Sequence, residues 1–309
     1  MKLISGNSNP KLAKAIAGHS FNSLVGAKIG TFADGETAVE YLENLRGEDV
    51  FVIQSTSTPV NQNFMELCVM VDAVKRSSSK RVTAVLPYFG YARQDRKSAS
   101  RTPISAKLVA NLLSIAGVDR ILTMDLHAGQ IQGFFDIPVD DLSSRPIFVK
   151  DIQQQELSDT IFVSPDAGGV VRARKFADAV NGGVIAIVDK RRPEAGASEV
   201  MNLIGNVKGK NAILVDDIVD SGGTLCNAAQ AIIDAGAKSV RAYITHGVLS
   251  GKACDKIQDS ALAELVITDS IQFHCPKAVD KIRTVSVDDL FGEAIRRVHN
   301  EESVSSLFG

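Results

Sequence analysis

The sequence has few cysteines, no marked excess of charge of either sign and no long hydrophobic run. Its four cysteines, Cys68, Cys226, Cys254 and Cys275, lie far apart, and no pair has CxxC spacing. A zinc site and a thioredoxin-like redox motif therefore have no support. We expect the four to be buried or partly buried free thiols in a reducing compartment.

Charge and hydropathy exclude two further classes of partner. Lys and Arg number 34 and Asp and Glu 36, a net charge of −2, so we expect no general nucleic-acid-binding surface. No apolar run approaches the roughly 18 residues of a membrane span. Near the N-terminus, Ser5, Gly6, Asn7 and Pro10 interrupt any apolar core. We therefore expect no signal peptide, no membrane partner and a cytoplasmic location.

Two common nucleotide-binding motifs are also missing. There is no GxxxxGK[ST], since the nearest segment, residues 205–211, has the wrong spacing and lacks the hydroxyl, and there is no GxGxxG. These absences disfavour P-loop kinases, protein kinases and Rossmann dehydrogenases. What remains has the composition of an ordinary globular protein, with 45% hydrophobic and 23% charged residues, and a length of 309 residues that suggests about two domains.

Short apolar runs alternate with helical patterns along the chain, which predicts an α/β fold. The runs are rich in Val and Ile, as in parallel strands that helices cover on both faces. The predicted strands are 50–54, 81–87, 120–125, 160–164, 184–189, 212–216, 240–245 and 265–268. The predicted helices include 64–77, 102–116, 168–180, 224–235 and 291–299.

The two halves of the chain repeat one order of strands and helices. DVFVIQSTS at 49–57 begins one pass and NAILVDDIVDSGG at 211–223 begins a second, with an offset of roughly 145 to 160 residues between matching segments. Such an offset is too long for a solenoid repeat. We infer two related α/β domains, 1–143 and 144–309, divided near 141–146, where DDLSSRP (140–146) interrupts the pattern. The alternative to duplication is that any two doubly wound domains share this order of strands and helices.

The strongest chemical signal is AILVDDIVDSGGTLCNAAQAI at 212–232. An apolar strand ends in Asp216 and Asp217, and a short loop, 220–224, then opens a helix. Glycines let the backbone turn tightly, and a helix N-terminus favours an anion. The loop therefore suits a phosphate monoester, and the carboxylates suit sugar hydroxyls. The alternative is a plain strand–turn–helix in which Thr224 is the N-cap.

A second loop, SPDAGG at 164–169, also follows a predicted strand and precedes a helix. Its amides can bind another anion, and Asp166 offers oxygen to a hard cation such as Mg²⁺. The alternative is a turn with an N-capping Asp. Two anion-binding loops in one domain suggest a ligand that carries phosphates at both ends.

Several further segments narrow the assignment. The motif at 212–224 is similar to that of type I phosphoribosyltransferases. Other matching segments are FADGE at 32–36, GYARQDRK at 90–97, MDLHAGQIQGFF at 124–135, DKRRP at 189–193 and EAIRRVHNEESVSSLF at 293–308. Together they make the chain resemble the ribose-phosphate diphosphokinase (phosphoribosyl-pyrophosphate synthetase) family from end to end. The resemblance implies two related type I phosphoribosyltransferase-like domains, each a mainly parallel sheet flanked by helices, and a regulatory C-terminal tail.

The resemblance also implies a reaction. The β,γ-diphosphoryl group of ATP would move to the anomeric hydroxyl of ribose 5-phosphate, giving AMP and 5-phosphoribosyl 1-diphosphate for nucleotide biosynthesis. Mg²⁺ is the implied cofactor, a homo-oligomer (commonly a hexamer) the implied assembly, and inorganic phosphate and ADP the implied effectors. No general base is obvious in the sequence, so positioning would supply most of the catalysis.

Two rival functions stay open at this point. A nucleobase phosphoribosyltransferase shares only the motif at 212–224, and it leaves FADGE, YARQD and DLHAGQ unexplained. A non-catalytic regulatory homologue would have degraded catalytic loops, whereas Lys190, Arg192, Asp166, His127 and Asp216 are all present.

The resemblance assigns site residues by position. The catalytic residues are Lys190 and Arg192. The ATP-binding residues are Phe32, Asp34, Gly35, Glu36, Arg93 and Gln94. The ribose 5-phosphate-binding residues are Arg192, Asp216, Asp217, Asp220, Ser221, Gly222, Gly223 and Thr224. The metal ligands are His127 and Asp166, the diphosphate loop is Asp166, Ala167, Gly168 and Gly169, and the regulatory residues are Arg46, Arg101, Ser303 and Ser305.

Some of these assignments have alternatives in residue chemistry. FADGE alone predicts a turn, and Lys190 to Arg192 alone predict a solvated strand end. His127 has an imidazole, which is not a usual magnesium ligand, so hydrogen bonding to phosphate or backbone is its alternative role. The lid that would follow Arg192 departs from the family pattern at Glu194 and Gly196, and the tail departs at Ser306.

Overall fold

The computed structural model describes residues 1–19, 23–155, 157–180, 182–191, 200–275 and 278–307. The chain divides into two compact units. The first comprises residues 1–143, 270–272 and 286–309, and the second comprises 144–269 and 273–285. The C-terminal helix, which the sequence groups with residues 144–309, therefore belongs to the first unit.

Strands and helices alternate through both units. The strands are β1 (Lys2–Ser5), β2 (Ala27–Thr31), β3 (Thr37–Tyr41), β4 (Asp49–Ile53), β5 (Arg81–Leu86), β6 (Arg120–Met124), β7 (Val139–Leu142), β8 (Thr160–Ser164), β9 (Ile185–Arg191), β10 (Val200–Ile204), β11 (Asn211–Val219), β12 (Ser239–Gly247), β13 (Glu264–Thr268) and β14 (Ile282–Val285). The helices are α1 (Pro10–His19), α2 (Val60–Arg76), α3 (Ser105–Ala116), α4 (Arg145–Gln154), α5 (Val170–Val180), α6 (Gly223–Asp234), α7 (Ala253–Asp259) and α8 (Asp288–His299). Short 3₁₀ helices cover Gly129–Phe134 and Ser305–Leu307.

The first unit is built on a five-stranded parallel sheet in the order β1-β4-β5-β6-β7. Every residue of β4 is buried, because side chains on both faces of this central strand lie under other elements. Helices α1 and α8 pack closely, since a Cβ at Gly292 would lie only 2.8 Å from the Cβ of His19. A separate antiparallel hairpin joins β2 to β3.

The second unit has a seven-stranded sheet in the order β10-β9-β8-β11-β12-β13-β14. All neighbours are parallel except β10, which runs antiparallel to β9. Aromatic side chains fill one side of its core, where the ring of Phe148 meets that of Tyr243 edge-on at 5.4 Å. The buried Tyr243 hydroxyl donates to the Asp151 carboxylate at 2.8 Å, which satisfies its polar end.

These sheets confirm the predicted α/β class with mainly parallel sheets flanked by helices. Every predicted strand and helix is present, with ends displaced by a few residues. The prediction missed β1, the β2–β3 hairpin, β7, β10, β14, α1, α4 and α7, which are mostly short or only partly buried. Among the described helices, none combines the length and the apolar character needed to cross a bilayer.

The cysteine prediction was wrong for one pair. Cys254 on α7 and Cys275 after β13 form a disulfide whose Cα atoms lie 6.1 Å apart, whereas Cys68 and Cys226 are free. The two bonded residues are 21 positions apart in sequence. Because the fold, and not a local motif, brings them together, CxxC spacing gave no sign of the pair.

Thiol counting tests this pairing. Protein unfolded in denaturant without reductant should show two reactive thiols, and four after reduction, because only Cys68 and Cys226 are free. Oxidised wild-type protein should also be more stable than Cys254→Ser by about 3 kcal/mol, the typical effect of closing a loop of this size. Cys226→Ser is the matched control and should lose one thiol without that change. Four reactive thiols before reduction would contradict the pairing.

Candidate active site

In the first unit, two loops meet at the carboxyl end of the sheet. Arg93 and Gln94 follow β5, and His127 follows the neighbouring parallel strand β6. The side-chain amide of Gln130 donates to Asp95 at 2.9 Å, which joins the two loops. Arg93, Gln94 and His127 are all exposed. The loops thus present a cation, an amide and an imidazole at one edge of the sheet.

A second group of predicted residues lies on the β2–β3 turn. The Phe32 amide donates to the Glu36 carbonyl at 2.8 Å, and the Gly35 amide donates to the Phe32 carbonyl at 2.9 Å. Gly35 has φ +95°, a left-handed conformation that glycine adopts without strain. Phe32 is 61% exposed. The turn predicted from FADGE is therefore present, and it carries an exposed aromatic ring beside two carboxylates.

In the second unit, three predicted motifs share one edge. Strands β9, β8 and β11 are adjacent and parallel. Lys190 lies near the end of β9, the 164–169 loop follows β8, and the 220–224 loop follows β11. In open α/β sheets, ligands bind at the carboxyl ends of the strands. The topology thus gathers the two loops predicted to bind anions and Lys190 at one such edge.

The 164–169 loop is held by its own hydrogen bonds. The Ser164 hydroxyl donates to the Asp166 carbonyl at 2.6 Å, and the Gly169 amide donates to Asp166 Oδ1 at 3.0 Å. The second bond is the capping contact expected of a plain turn. It uses only one of the two carboxylate oxygens of Asp166, which is an exposed residue. A Cβ at Gly169 would lie 2.8 Å from Ser164 Oγ, so this close approach requires glycine.

The 220–224 loop differs from a plain strand–turn–helix. Gly222 has φ +74° and α6 begins at Gly223, so the alternative in which Thr224 is the N-cap is wrong. The Ser250 amide donates to the Asp220 carbonyl at 3.1 Å, and the Lys256 ammonium donates to the Ser221 carbonyl at 3.2 Å. Both contacts are accepted by carbonyl oxygens of the loop, and neither uses a backbone amide of the loop or of α6. First-turn amides of a helix have no intrahelical acceptor, so those of α6 suit an anion.

Asp216 and Asp217 lie within the last part of β11 and share one cation. Arg172 Nη1 donates to Asp216 Oδ1 at 2.8 Å and to Asp217 Oδ1 at 3.0 Å. The Asp216 side chain is 25% exposed and that of Asp217 only 6%, so Asp216 is the one open to a ligand. Removal from water, and then the adjacent Asp217, raises the pKa of Asp216 to about 7, while Arg172 acts in the opposite direction.

Comparison with known proteins covers the whole chain. A family described as the N-terminal domain of ribose phosphate pyrophosphokinase matches residues 1–117, and the phosphoribosyl synthetase-associated domain matches 193–309. Ribose-phosphate pyrophosphokinase of Caulobacter vibrioides is 61% identical over all of both chains. That of Hyphomonas neptunium is 60% identical over all of this chain and 99% of its own. The chain belongs to the ribose phosphate pyrophosphokinase family.

A solved structure agrees. Phosphoribosylpyrophosphate synthetase from Mycobacterium smegmatis has 40% sequence identity and a TM-score of 0.92 over 97% of this chain and 99% of its own. The family, the fold class and the function predicted from the sequence, that of a ribose-phosphate diphosphokinase, are therefore confirmed. Because the match includes the first unit, it also disfavours a nucleobase phosphoribosyltransferase, which would share only the 212–224 motif.

Arg172 is the residue of this site that sequence reasoning missed. It follows the SPDAGG loop at 164–169, but the sequence assigned it no role. Its position three residues after Gly169, on the helix that follows the loop of β8, was the available signal. Because β8 neighbours β11, this helix lies beside the strand that carries the acidic pair.

The remaining predicted residues lie as follows. The backbone of Lys190 pairs with that of Met201 in β10, and Arg192, Glu194 and Gly196 lie outside the described residues. The four regulatory candidates are in the first unit. Arg46 and Arg101 are exposed, and the hydroxyls of Ser303 and Ser305 lie 2.7 Å apart.

Proposed function

We propose that the second unit binds ribose 5-phosphate on the 220–224 loop and the transferred diphosphate on the 164–169 loop. The family reaction moves the β,γ-diphosphoryl group of ATP to the anomeric hydroxyl of ribose 5-phosphate. The sugar oxygen bonds to the β-phosphorus as the hydroxyl loses its proton to solvent, the bond from that phosphorus to the α,β-bridging oxygen breaks, and AMP leaves. The supporting observation is that two anion-binding loops follow the adjacent parallel strands β8 and β11, with the acidic pair beside them.

The sugar phosphate would be recognised at both of its ends. The first-turn amides of α6, with the hydroxyls of Ser221 and Thr224, donate to the 5-phosphate. Asp216 accepts hydrogen bonds from the ribose hydroxyls. Asp217 is too buried to do the same directly, and it acts by sharing Arg172 with Asp216. The loop thereby fixes the phosphate while the carboxylate orients the ring.

Magnesium is proposed as the cofactor on the chemistry of its ligands. The Asp166 carboxylate suits Mg²⁺, which prefers oxygen, and one of its oxygens is already oriented by the Gly169 amide. His127, an exposed nitrogen donor at the end of β6, is the second proposed ligand. When bound, Mg²⁺ neutralises negative charge on the polyphosphate.

Nucleotide binding and charge stabilisation are assigned to the other motifs. Phe32 would stack on the adenine, with Asp34 and Glu36 accepting from its amino group, and Gly35 shapes their turn. Arg93 would bind phosphate and Gln94 would lie beside it. Lys190 and Arg192 would offset the charge that develops on the transferred group and on the leaving oxygen.

Product analysis tests this function. Protein incubated with ATP, ribose 5-phosphate and Mg²⁺ should release AMP and 5-phosphoribosyl 1-diphosphate in equal amounts, and omission of the sugar should abolish AMP release. Consumption of the diphosphate product only when a nucleobase is added, without AMP, would instead indicate a nucleobase phosphoribosyltransferase. Nucleotide and sugar binding without turnover would indicate a regulatory homologue.

The predicted homo-oligomer, with a hexamer as its expected size, has support on α3. Exposed apolar side chains recur at helical spacing along one face, and they are Ile104, Leu108, Leu112 and Ile115. Ile115 is 81% exposed. A contiguous exposed apolar stripe of this kind is typical of an interaction surface.

A charge within this stripe should weaken assembly. We expect Leu108→Asp to lower the mass measured by light scattering, because a carboxylate would be buried against an apolar partner. Val184→Asp is the control, because it also replaces an exposed aliphatic side chain with a carboxylate, but in the second unit. It should leave the mass unchanged. An unchanged mass for Leu108→Asp would remove α3 from the interface.

Three other expectations are carried forward as proposals. Inorganic phosphate and ADP are effectors that act through Arg46, Arg101, Ser303 and Ser305, the location is cytoplasmic, and the two α/β domains are related by duplication. Their predicted ranges, 1–143 and 144–309, change in that residues 286–309 group with the first unit. AMP release measured with and without inorganic phosphate, in wild-type protein and in Arg101→Ala, tests the proposal on effectors.

A further inference from the structure

Arg172 lies where an isolated cation is unfavourable. It is the third residue of α5, in the first helical turn, where the helix dipole favours negative charge. Its side chain is 25% exposed. The two carboxylates at 2.8 and 3.0 Å offset that environment, so the cation and the acidic pair depend on each other.

The acidic pair is equally unfavourable without Arg172. Two adjacent carboxylates that are partly withdrawn from water repel each other, and a cation that contacts both lowers that cost. The Asp217 amide also donates to Asp216 Oδ1 at 2.9 Å, so the same oxygen that binds Arg172 is held from two directions. Asp216 Oδ1 is therefore fixed, and the orientation of the whole carboxylate follows from it.

We propose that Arg172 is a positioning residue for ribose 5-phosphate: its guanidinium holds Asp216 and Asp217 together and orients the Asp216 carboxylate toward the sugar hydroxyls. The inference rests on the proposed ribose-binding role of Asp216. Arg172 also lies three residues after Gly169 on the helix that the 164–169 loop opens. The loop proposed to bind the diphosphate and the cation that contacts both carboxylates therefore lie on one continuous stretch of chain, residues 164–172.

Steady-state kinetics of the full chain with ATP, ribose 5-phosphate and Mg²⁺ test this role. Arg172→Gln should raise KM for ribose 5-phosphate about 10- to 100-fold, the range for loss of a hydrogen bond to a charged group, with a much smaller change in KM for ATP. Arg172→Lys keeps the charge and should recover part of the loss. Arg174→Gln, on the exposed side of the same helix, is the control and should behave as wild type.

A double-mutant cycle separates positioning from direct substrate contact. If Arg172 acts through Asp216, Arg172→Gln should raise KM for ribose 5-phosphate much less in an Asp216→Asn background than in wild type. Equal effects in the two backgrounds, or no effect of Arg172→Gln in wild type, would overturn the proposal. If Asp216→Asn alone left KM unchanged, the proposed ribose-binding role would fail instead, and that single variant distinguishes the two failures.

Discussion

Replacing Lys190 with alanine should lower kcat by about 10²- to 10³-fold, the usual effect of removing one donor that stabilises transition-state charge. KM for ATP should change little, because the lost interaction strengthens only as charge shifts to the leaving oxygen. The backbone of Lys190 is fixed by pairing with Met201, near the end of the strand beside β8. This backbone position is at the same sheet edge as the two loops that are proposed to bind anions.

Single-turnover rates and nucleotide binding, measured separately, test this prediction. Lys208→Ala is the matched control, since Lys208 is an exposed lysine of the same unit that follows β10. It should retain wild-type kcat. Weaker ATP binding by Lys190→Ala with kcat unchanged would show that the residue contributes to binding only.

The sequence was most informative where strands are buried on both faces. β4, β8 and β13 were predicted to within a residue or so, because continuous Val and Ile runs have one explanation in an α/β fold. β10 was missed because it lies at the antiparallel edge of the sheet, where burial does not impose such a run. Its Ile204 is 54% exposed.

The end of β11 shows how a polar pair can mislead. The prediction ended this strand at Asp216, since two carboxylates break an apolar run. In the structure β11 continues to Val219, which pairs with Gly247 of β12. The strand continues by pairing with β12, and Arg172, from a different element, contacts both carboxylates. A contact between residues 44 positions apart leaves no local pattern, and the same holds for the Cys254–Cys275 bond.

The loop residues of the candidate site were predictable because their chemistry is local. Gly222 needs the left-handed conformation at the start of α6, and Gly169 needs the space beside Ser164. Such requirements act within a few residues, so they show in the sequence as short glycine motifs. What these motifs do not reveal is which side chains from neighbouring elements support them.

Gly223→Val should raise KM for ribose 5-phosphate by about 100-fold or more while the protein still folds and binds ATP. A Cβ at Gly223 would meet nothing closer than Ser221 Oγ at 4.0 Å, so the protein itself has room for a side chain. Cα–Cβ bonds in a helix tilt toward its N-terminus. The valine methyl groups would therefore occupy the space in front of the first-turn amides, where the 5-phosphate is proposed to bind, and excluding a charged ligand of this kind costs about 3 kcal/mol or more.

The neighbouring glycine makes this prediction specific. Gly222 has φ +74°, a left-handed conformation that valine adopts only with strain, so Gly222→Val should lower the thermal midpoint as well as activity. Asn227→Val, one turn further along the exposed face of α6, adds a branched apolar side chain away from the loop and should leave KM for ribose 5-phosphate unchanged. The thermal midpoint, KM for ribose 5-phosphate and KM for ATP should be measured for all three variants, because together they separate a blocked phosphate site from a loss of stability. If Gly223→Val bound ribose 5-phosphate as wild type does, the phosphate could not lie against the first turn of α6.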